Sequence, residues 1–444
     1  MSTESDIDRI FGLQKENLRR LKATTAEERV RYLLKLKDVL YKYRDQIKGA
    51  LARDIGRPSA GGDFEVDAPV AAINETIDQL ENWMRPVVYD PSFSDGHRTE
   101  YSVRYEPRGV VLLFTPWNYP IHLLFTPLVA IVASGNSVIV KTNEMMPESS
   151  KISAKIIREA FDEAHVAVFE GPAELSNQLL QLPVDHIFLT GSPRVGKIVM
   201  GAAAQHLASV TLELGGKCPA IIDENFSISK AAKIIAQASV YDMGQACQSI
   251  DYVALPEDRF DDFINAMKLE FNSLFYVDGE FQRDRTSRFV NKANYLRVKG
   301  YMDDAIDRGA RIALGGKTFE EDLLIEPTIV TDVPLDSLIM QNEIFGPVIP
   351  VWKYKDLGEI FDFIEENGKP LSMYIYSNDQ GFVESVMENT SAGNTNVNSW
   401  LSTYRNTELP FGGVNKSGIG VYHGVHGFRE LSNPRSFAST SQLN

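Results

Sequence analysis

Glu213 and Cys247 are the two residues of this sequence whose types and settings suit covalent chemistry. Glu213 stands in V-T-L-E-L-G-G-K, where an ionised carboxylate among Val and Leu loses its hydration. Such a group is either paired or has a raised pKa, and a raised carboxylate is a base. Cys247, in M-G-Q-A-C-Q-S, follows small and polar residues after a helical pattern over Ile228 to Tyr241, so its thiol is expected on a reachable loop. A thiolate adds to a carbonyl carbon, and the oxygen anion it creates needs a donor. Asn118, held in P-W-N-Y-P between Pro116 and Pro120, offers a side-chain N–H from a rigid turn. The plain alternatives are a hydrogen-bonded strand glutamate, an inert half-buried cysteine and a structural turn asparagine. Glu213 and Cys247 are too distant in sequence to meet locally, so the fold must bring them together.

A second set of residues suits phosphates and sugars. Gly191-Ser192-Pro193-Arg194-Val195-Gly196 falls where a strand turns into a helix, a place where free N–H groups and the helix dipole attract phosphate. Pro193 replaces the middle glycine of G-x-G-x-x-G, so this is no Rossmann fingerprint, and an ordinary turn is the alternative. Lys141 and Glu144 bracket K-T-N-E at the end of an apolar strand, where an ammonium and a carboxylate can bond ribose hydroxyls; a solvated pair before the next helix would look the same. The loop Q-N-E-I-F-G-P adds one acid, Glu343, and one aromatic, Phe345.

The elements that position these residues are legible as a rhythm. Ile7 to Ile55 reads as helix, with Leu33, Leu36, Leu40 and Ile47 in a stripe; Gly56, Arg57, Pro58, Gly61 and Gly62 break it, and Val66 to Trp83 resumes it. Two polar strands around Ser94-Asp95-Gly96 follow, a hairpin suited to pairing with another subunit. After Gly109, short apolar strands at 110–114, 137–140, 166–169 and 186–189 alternate with helices at 121–133, 148–163, 173–181 and 195–207. This predicts α/β architecture, a doubly wound, mostly parallel sheet that binds ligands at the carboxyl ends of its strands. The second half repeats the alternation, with helices near 259–271 and 293–307, strands between 325 and 351, and a loop over 394–404.

With 444 residues the chain exceeds one ordinary core, so two or three domains are expected. A formal charge of −15 argues against nucleic acid and anionic membrane partners. Two cysteines make no disulfide framework, and M-S-T-E-S-D-I-D-R-I lacks an apolar signal core, so a cytoplasmic setting is expected. No cluster suggests a metal, and the longest apolar run, Leu123 to Ala133, is too short to span a bilayer.

Taken in order, Asn118, Lys141, Glu144, Gly191, Glu213, Gly215, Gly216, Cys247, Glu343, Phe345 and P-F-G-G resemble the motifs of the aldehyde dehydrogenase superfamily across essentially the whole chain. The segments V-G-K-I-V-M-G-A-A-A, M-Q-N-E-I-F-G-P-V and P-F-G-G-V-N-K-S-G look closest to the class 3 members. The resemblance implies a cofactor domain over 1–88 and 108–213, a catalytic domain over 214–420, and an oligomerisation element from 89–107 and 421–444 that makes a homodimer. It implies Cys247 as nucleophile, Glu213 as general base, and Asn118 with the Cys247 N–H as oxyanion hole. It further implies NAD, with NADP possible, held by Lys141, Glu144, Gly191, Ser192, Gly196, Glu343 and Phe345. The small-molecule aldehyde would pass Tyr119, Tyr241, Trp400, Tyr404 and Phe411, which favours medium-chain aliphatic or aromatic substrates; Arg405 is the alternative anchor, for a semialdehyde. Thr142 replaces the family's usual proline and is expected to loosen adenosine binding; Arg194 invites an extra phosphate; Cys218 is expected as a buried apolar residue. A non-catalytic descendant of the fold and an acylating enzyme that passes its thioester to coenzyme A remain rivals.

Overall fold

A computed structural model describes residues 4–442. The amino-terminal pattern becomes helices Glu4–Lys22, Ala26–Lys42, Arg44–Ile55 and Ser59–Met84. Thr25 and Glu28 close a reciprocal cap at the second of these, and Gly56, left-handed at φ 65°, ends the third. Leu33, Leu36, Leu40 and Ile47 are fully buried, as their spacing predicts. Gly61 and Gly62 correct the reading: they lie inside the fourth helix. A Cβ on Gly62 would stand 2.9 Å from the Lys48 side chain, so this glycine serves helix contact rather than a break.

Six strands form the first sheet, in the order Gly418–Ile419, Ser209–Glu213, His186–Thr190, Val110–Phe114, Ser137–Lys141, Val166–Phe169. The last five are parallel. Every residue of Val110–Phe114, Ser137–Lys141 and His186–Thr190 is buried, because helices cover both faces: Val111 and Leu113 enter one core, Val110 and Leu112 the other. The strand order reverses between Val110–Phe114 and His186–Thr190, so the crevice for a ligand opens between the loops that carry Asn118 and Ser192. Gly418–Ile419, expected with the second half, instead pairs antiparallel with Ser209–Glu213, and Gly418 lies opposite Glu213.

A seven-stranded sheet organises the second half, in the order Arg311–Leu314, Thr328–Thr331, Val348–Tyr354, Tyr252–Pro256, Pro219–Ile222, Ser372–Tyr376, Asn394–Val397. It is parallel except at its first pair. Asn394–Val397 corrects the expected loop. Asparagine is a poor strand former, but Asn394 accepts from Ser372 and Thr403 side chains and donates to Leu371, so side-chain bonds fix this edge. The helix expected to reach Tyr241 stops at Ser239.

The hairpin forms as read, with Asp95 and Gly96 left-handed at φ 49° and 74°, and its strand His97–Pro107 also pairs along its length with Ser432–Gln442. The helix Gly424–Glu430, by contrast, packs through Phe428 against Leu80 and Ala133 of the first half of the chain, so the stretch from 421 is only partly in this three-stranded sheet. Among the described residues no helix is long and apolar enough to cross a membrane, and no cluster of three His, Cys, Asp or Glu is arranged to hold a metal.

Candidate active site

The strand Ser209–Glu213 runs parallel to His186–Thr190 and ends at the crevice, which is why a carboxylate can be buried there at all. The Glu213 carbonyl accepts from the Gly191 N–H at 2.9 Å, and Leu214 donates to the Ser417 carbonyl at 3.0 Å, so its backbone is fixed from both sides. Among the described residues neither of its carboxylate oxygens has a hydrogen-bond partner. Burial first, and then the charge of Glu430, hold its pKa well above the usual carboxylate range.

Cys247 is half-buried on a turn between pinned neighbours. The Gln248 carbonyl accepts from the Tyr374 hydroxyl at 2.6 Å, and the buried Cys218 thiol, fully enclosed as expected, reaches the Cys247 carbonyl at 3.4 Å. Burial pushes the Cys247 thiol up to about 12, and the charges of Glu343 and Glu213 add to it; the backbone N–H groups of Cys247 and Gln248 pull the other way. Asn118 is 4% exposed, and its Nδ2 donates to the Gln245 carbonyl at 3.0 Å. One of the two amide hydrogens therefore ties Asn118 to the cysteine loop and leaves the other for a ligand.

Asn118, Glu213 and Cys247 open onto one cavity of about 960 Å³. Its wall also contains Lys141, Glu144, Gly191, Ser192, Glu343 and Phe345. Lys141 is buried, not solvated; its Nζ donates to the Thr142 carbonyl at 2.7 Å and to Glu144 at 3.3 Å. Thr142, expected to loosen this end, is itself stitched to Phe169 through its N–H and hydroxyl. Ser192 caps the helix Pro193–His206, and exposed Arg194 stands at the rim. Burial raises Glu343 to about 8, and its Oε1 accepts from the Gly216 N–H; a side chain on Gly215 would strike it at 2.1 Å. Phe345 adopts φ 51° and meets the Trp117 ring edge-on at 5.4 Å. Gly196 is the exception: it is absent from the wall, and a Cβ there would sit 3.1 Å from two Leu214 methyls. It lets the helix approach the sheet.

The cavity suits a dinucleotide. It is long enough to join the apolar slot of Ala173, Leu180 and Ile198 to the thiol, carries a helix start between its ends, and holds the unpartnered Thr190 hydroxyl and Glu213 carboxylate on its wall.

The five rings expected along the substrate path do not line this cavity. Tyr241 and Trp400 meet at 5.1 Å, and the Trp400 indole donates to Gln248 beside the cysteine. Tyr404 contacts Phe411 at 4.8 Å, bonds His122, and lies within electrostatic reach of Cys247 and Glu213. Tyr119 is buried under the Arg57 guanidinium at 4.5 Å. Arg405 is exposed near Tyr241. The rings thus gather at the cysteine loop, apart from the long cavity.

Sequence reasoning missed the buried group Arg57, Glu65 and Asp242, which joins the Asn118 turn to the cysteine loop. In the sequence Arg57 reads only as part of a helix break. The one signal was Arg57 itself, a cation set among Gly56, Pro58, Ser59 and Ala60; Glu65 stands between Asp63 and Asp67 and gives none.

The sequence model of the aldehyde dehydrogenase family matches residues 1–437. The chain is 42% identical over 434 residues to AldX of Bacillus subtilis (strain 168), covering 97% of each. It is 36% identical over 412 residues to aldehyde dehydrogenase family 3 member H1 of Arabidopsis thaliana, covering 92% of this chain and 84% of that one. A solved substrate-bound state of Staphylococcus aureus AldH superposes with a TM-score of 0.93 at 33% identity, over 99% of this chain and 95% of that one.

Proposed function

The chain belongs to the aldehyde dehydrogenase family, and from that premise we propose that it oxidises an aldehyde to the carboxylic acid through a covalent adduct on Cys247, with NAD as preferred acceptor. The observation that carries the reading is one cavity joining a half-buried thiol, an unpartnered carboxylate and an amide already tied to the thiol's loop. Cys247 attacks the carbonyl carbon; Asn118 and the Cys247 N–H hold the oxygen anion. Lys141 and Glu144 would hold the adenosine ribose, Ser192 and its helix start the pyrophosphate, and Glu343 and Phe345 the nicotinamide end. NAD(P), when bound there, supplies the hydride acceptor. Glu213 then draws a proton from the water that hydrolyses the thioester on Cys247. An aldehyde panel with each nicotinamide cofactor, read at the absorbance of the reduced form, tests this. A lack of turnover with every aldehyde would favour a non-catalytic descendant. A strict coenzyme A requirement would favour the acylating reaction, which Glu213 opposes because it diverts the thioester to water.

NAD is expected to exceed NADP in kcat/KM by about tenfold, the effect of roughly 1.4 kcal/mol of like-charge repulsion. On the proposed assignment Glu144 would place a carboxylate at the adenosine ribose and repel a 2′-phosphate, while Lys141 is already engaged by Thr142 and Glu144. A preference for NADP that vanishes in Arg194→Ala would show that the rim cation prevails.

The ring cluster at the cysteine loop supports a medium-chain aliphatic or aromatic aldehyde. Each CH₂ that becomes buried contributes about 0.8 kcal/mol, about fourfold in kcat/KM. Extending a straight-chain aldehyde from roughly three to roughly eight carbons is therefore expected to raise kcat/KM stepwise, and Arg405→Leu to change little. A best rate with succinic semialdehyde, lost in Arg405→Leu, would overturn the apolar reading.

A homodimer completes the proposal. The three-stranded sheet leaves Val87–Ser94 and Ser432–Gln442 as open edges and exposes Val88, Tyr89, Phe93 and Phe437. Light scattering after gel filtration is expected to give twice the chain mass; a monomer at micromolar concentration contradicts it.

A further inference from the structure

The asparagine turn and the cysteine loop come from different parts of the chain, and one buried cation joins them. Arg57 Nη1 pairs with Glu65, while Nη2 donates to the Asn118 carbonyl at 2.5 Å and to Asp242 Oδ2 at 2.5 Å. The side chains of Arg57, Glu65 and Asp242 are 1%, 0% and 6% exposed. Each acid reaches one step further. Glu65 Oε2 accepts from the N–H groups of Ile121 at 2.8 Å and His122 at 3.0 Å, at the start of the helix that follows Asn118. Asp242 Oδ1 accepts from the Ser287 hydroxyl at 2.5 Å.

The Asp242 end also fixes an unusual backbone. Asp242, Met243 and Gly244 are left-handed in succession, at φ 49°, 56° and 70°, just before Gln245 and the cysteine turn. Such conformations at non-glycine residues are strained and persist only where the surroundings impose them. Here Arg57 and Ser287 grip Asp242, and a side chain on Gly244 would strike the Gly346 carbonyl at 2.2 Å. Gln245, whose carbonyl receives the Asn118 amide, follows directly. Burial weakens the charge of Arg57, but Asp242 and Glu65 outweigh it and keep the guanidinium protonated. Neither Arg57 nor its acids line the cavity.

We propose that Arg57 is a positioning residue for the oxidation: its single guanidinium holds the Asn118 turn and the Asp242 loop together, and so sets the separation between the oxyanion donor and the nucleophile. This rests on the roles proposed above for Asn118 and Cys247. A lysine carries the same charge but lacks the planar fork that serves three acceptors at once.

The test is a mutant cycle on the rate of the first turnover, measured on the whole protein at saturating NAD and aldehyde. Arg57→Lys is expected to lower that rate about 10- to 100-fold with little change in the KM for NAD, the effect of a small misplacement of reacting groups. In an Asn118→Ala background the same substitution is expected to cost under about threefold, because no oxyanion donor remains to be misplaced. A purely structural arginine would instead give the same loss in both backgrounds, which would overturn the inference. Asp242→Asn, which keeps the shape and removes one charged arm, supplies the same cycle if Arg57→Lys does not fold. A full rate in Asn118→Ala would overturn the oxyanion reading and this inference with it, whereas a reduced rate there with an additive loss overturns this inference alone.

Discussion

Glu213→Gln is expected to release one burst of reduced cofactor per subunit and then almost stop. Glutamine keeps the shape of the side chain, and the Gly191 and Ser417 bonds on either side of the residue involve only backbone, so the crevice should persist. What disappears is the base. In the proposed scheme Glu213 acts after the thioester has formed, so the first turnover survives while hydrolysis slows by about 10²- to 10⁴-fold, the usual worth of a positioned base. The pH profile gives an independent check. Because burial raises the pKa of Glu213, the group is protonated at low pH and becomes a working base only as pH rises through that raised value. Steady-state turnover of the native protein should therefore climb with pH, and the climb should be lost in Glu213→Gln. Absence of a burst would mean that Glu213 also activates Cys247. Full turnover would remove it from the mechanism.

The second large effect is expected at Cys247. Cys247→Ala should abolish oxidation, at least about 10⁴-fold in kcat, since among the described residues Cys247 is the only thiol in the cavity wall. Cys218 cannot substitute, being fully buried with its thiol against the Cys247 carbonyl. Alkylation of the cofactor-free protein should accordingly label Cys247 and spare Cys218. Because the Cys247 thiol is pushed up to about 12, its thiolate is scarce at neutral pH, and labelling should accelerate about tenfold per pH unit on the way to that value. A labelling rate that levels off near neutrality would show that the N–H groups around the sulfur outweigh burial, and residual oxidation in Cys247→Ala would overturn the covalent scheme.

The parts of the fold visible in the sequence are those with a local cause. Val110–Phe114 and Val166–Phe169 begin and end where their apolar runs do, because a strand buried on both faces has no polar position to offer. Asp95-Gly96 announces its turn because glycine and aspartate tolerate positive φ. Asn394–Val397 gave no such sign: its stability comes from side chains of Ser372 and Thr403 that only the folded chain brings near. The same division runs through the site. Glu213, Asn118 and Cys247 drew attention because each is chemically out of place in its local stretch. Arg57, Glu65 and Asp242 did not, since an ion group that joins two segments 185 residues apart has no periodicity, and Asp242 lies beyond the end of the helix that the pattern extends to Tyr241. Gly196 shows the reverse error, a glycine inside a phosphate-like motif whose reason is the packing of Leu214.

The antiparallel pairing of Gly418 with Glu213 has a consequence for the order in which the protein is made. The parallel strands that wall the cavity belong to the first half of the chain and leave the ribosome early, but the carboxylate strand keeps an open edge until Gly418–Ile419 arrives. Contacts this far apart close late, because the entropy of the intervening loop must be overcome first. A nascent chain can therefore assemble the Asn118, Lys141 and Ser192 side of the crevice while Glu213 is still loosely held beside water. In the proposed scheme hydrolysis then waits for Gly418–Ile419 to close that edge, so a chain that stops short of them is expected to lack steady turnover.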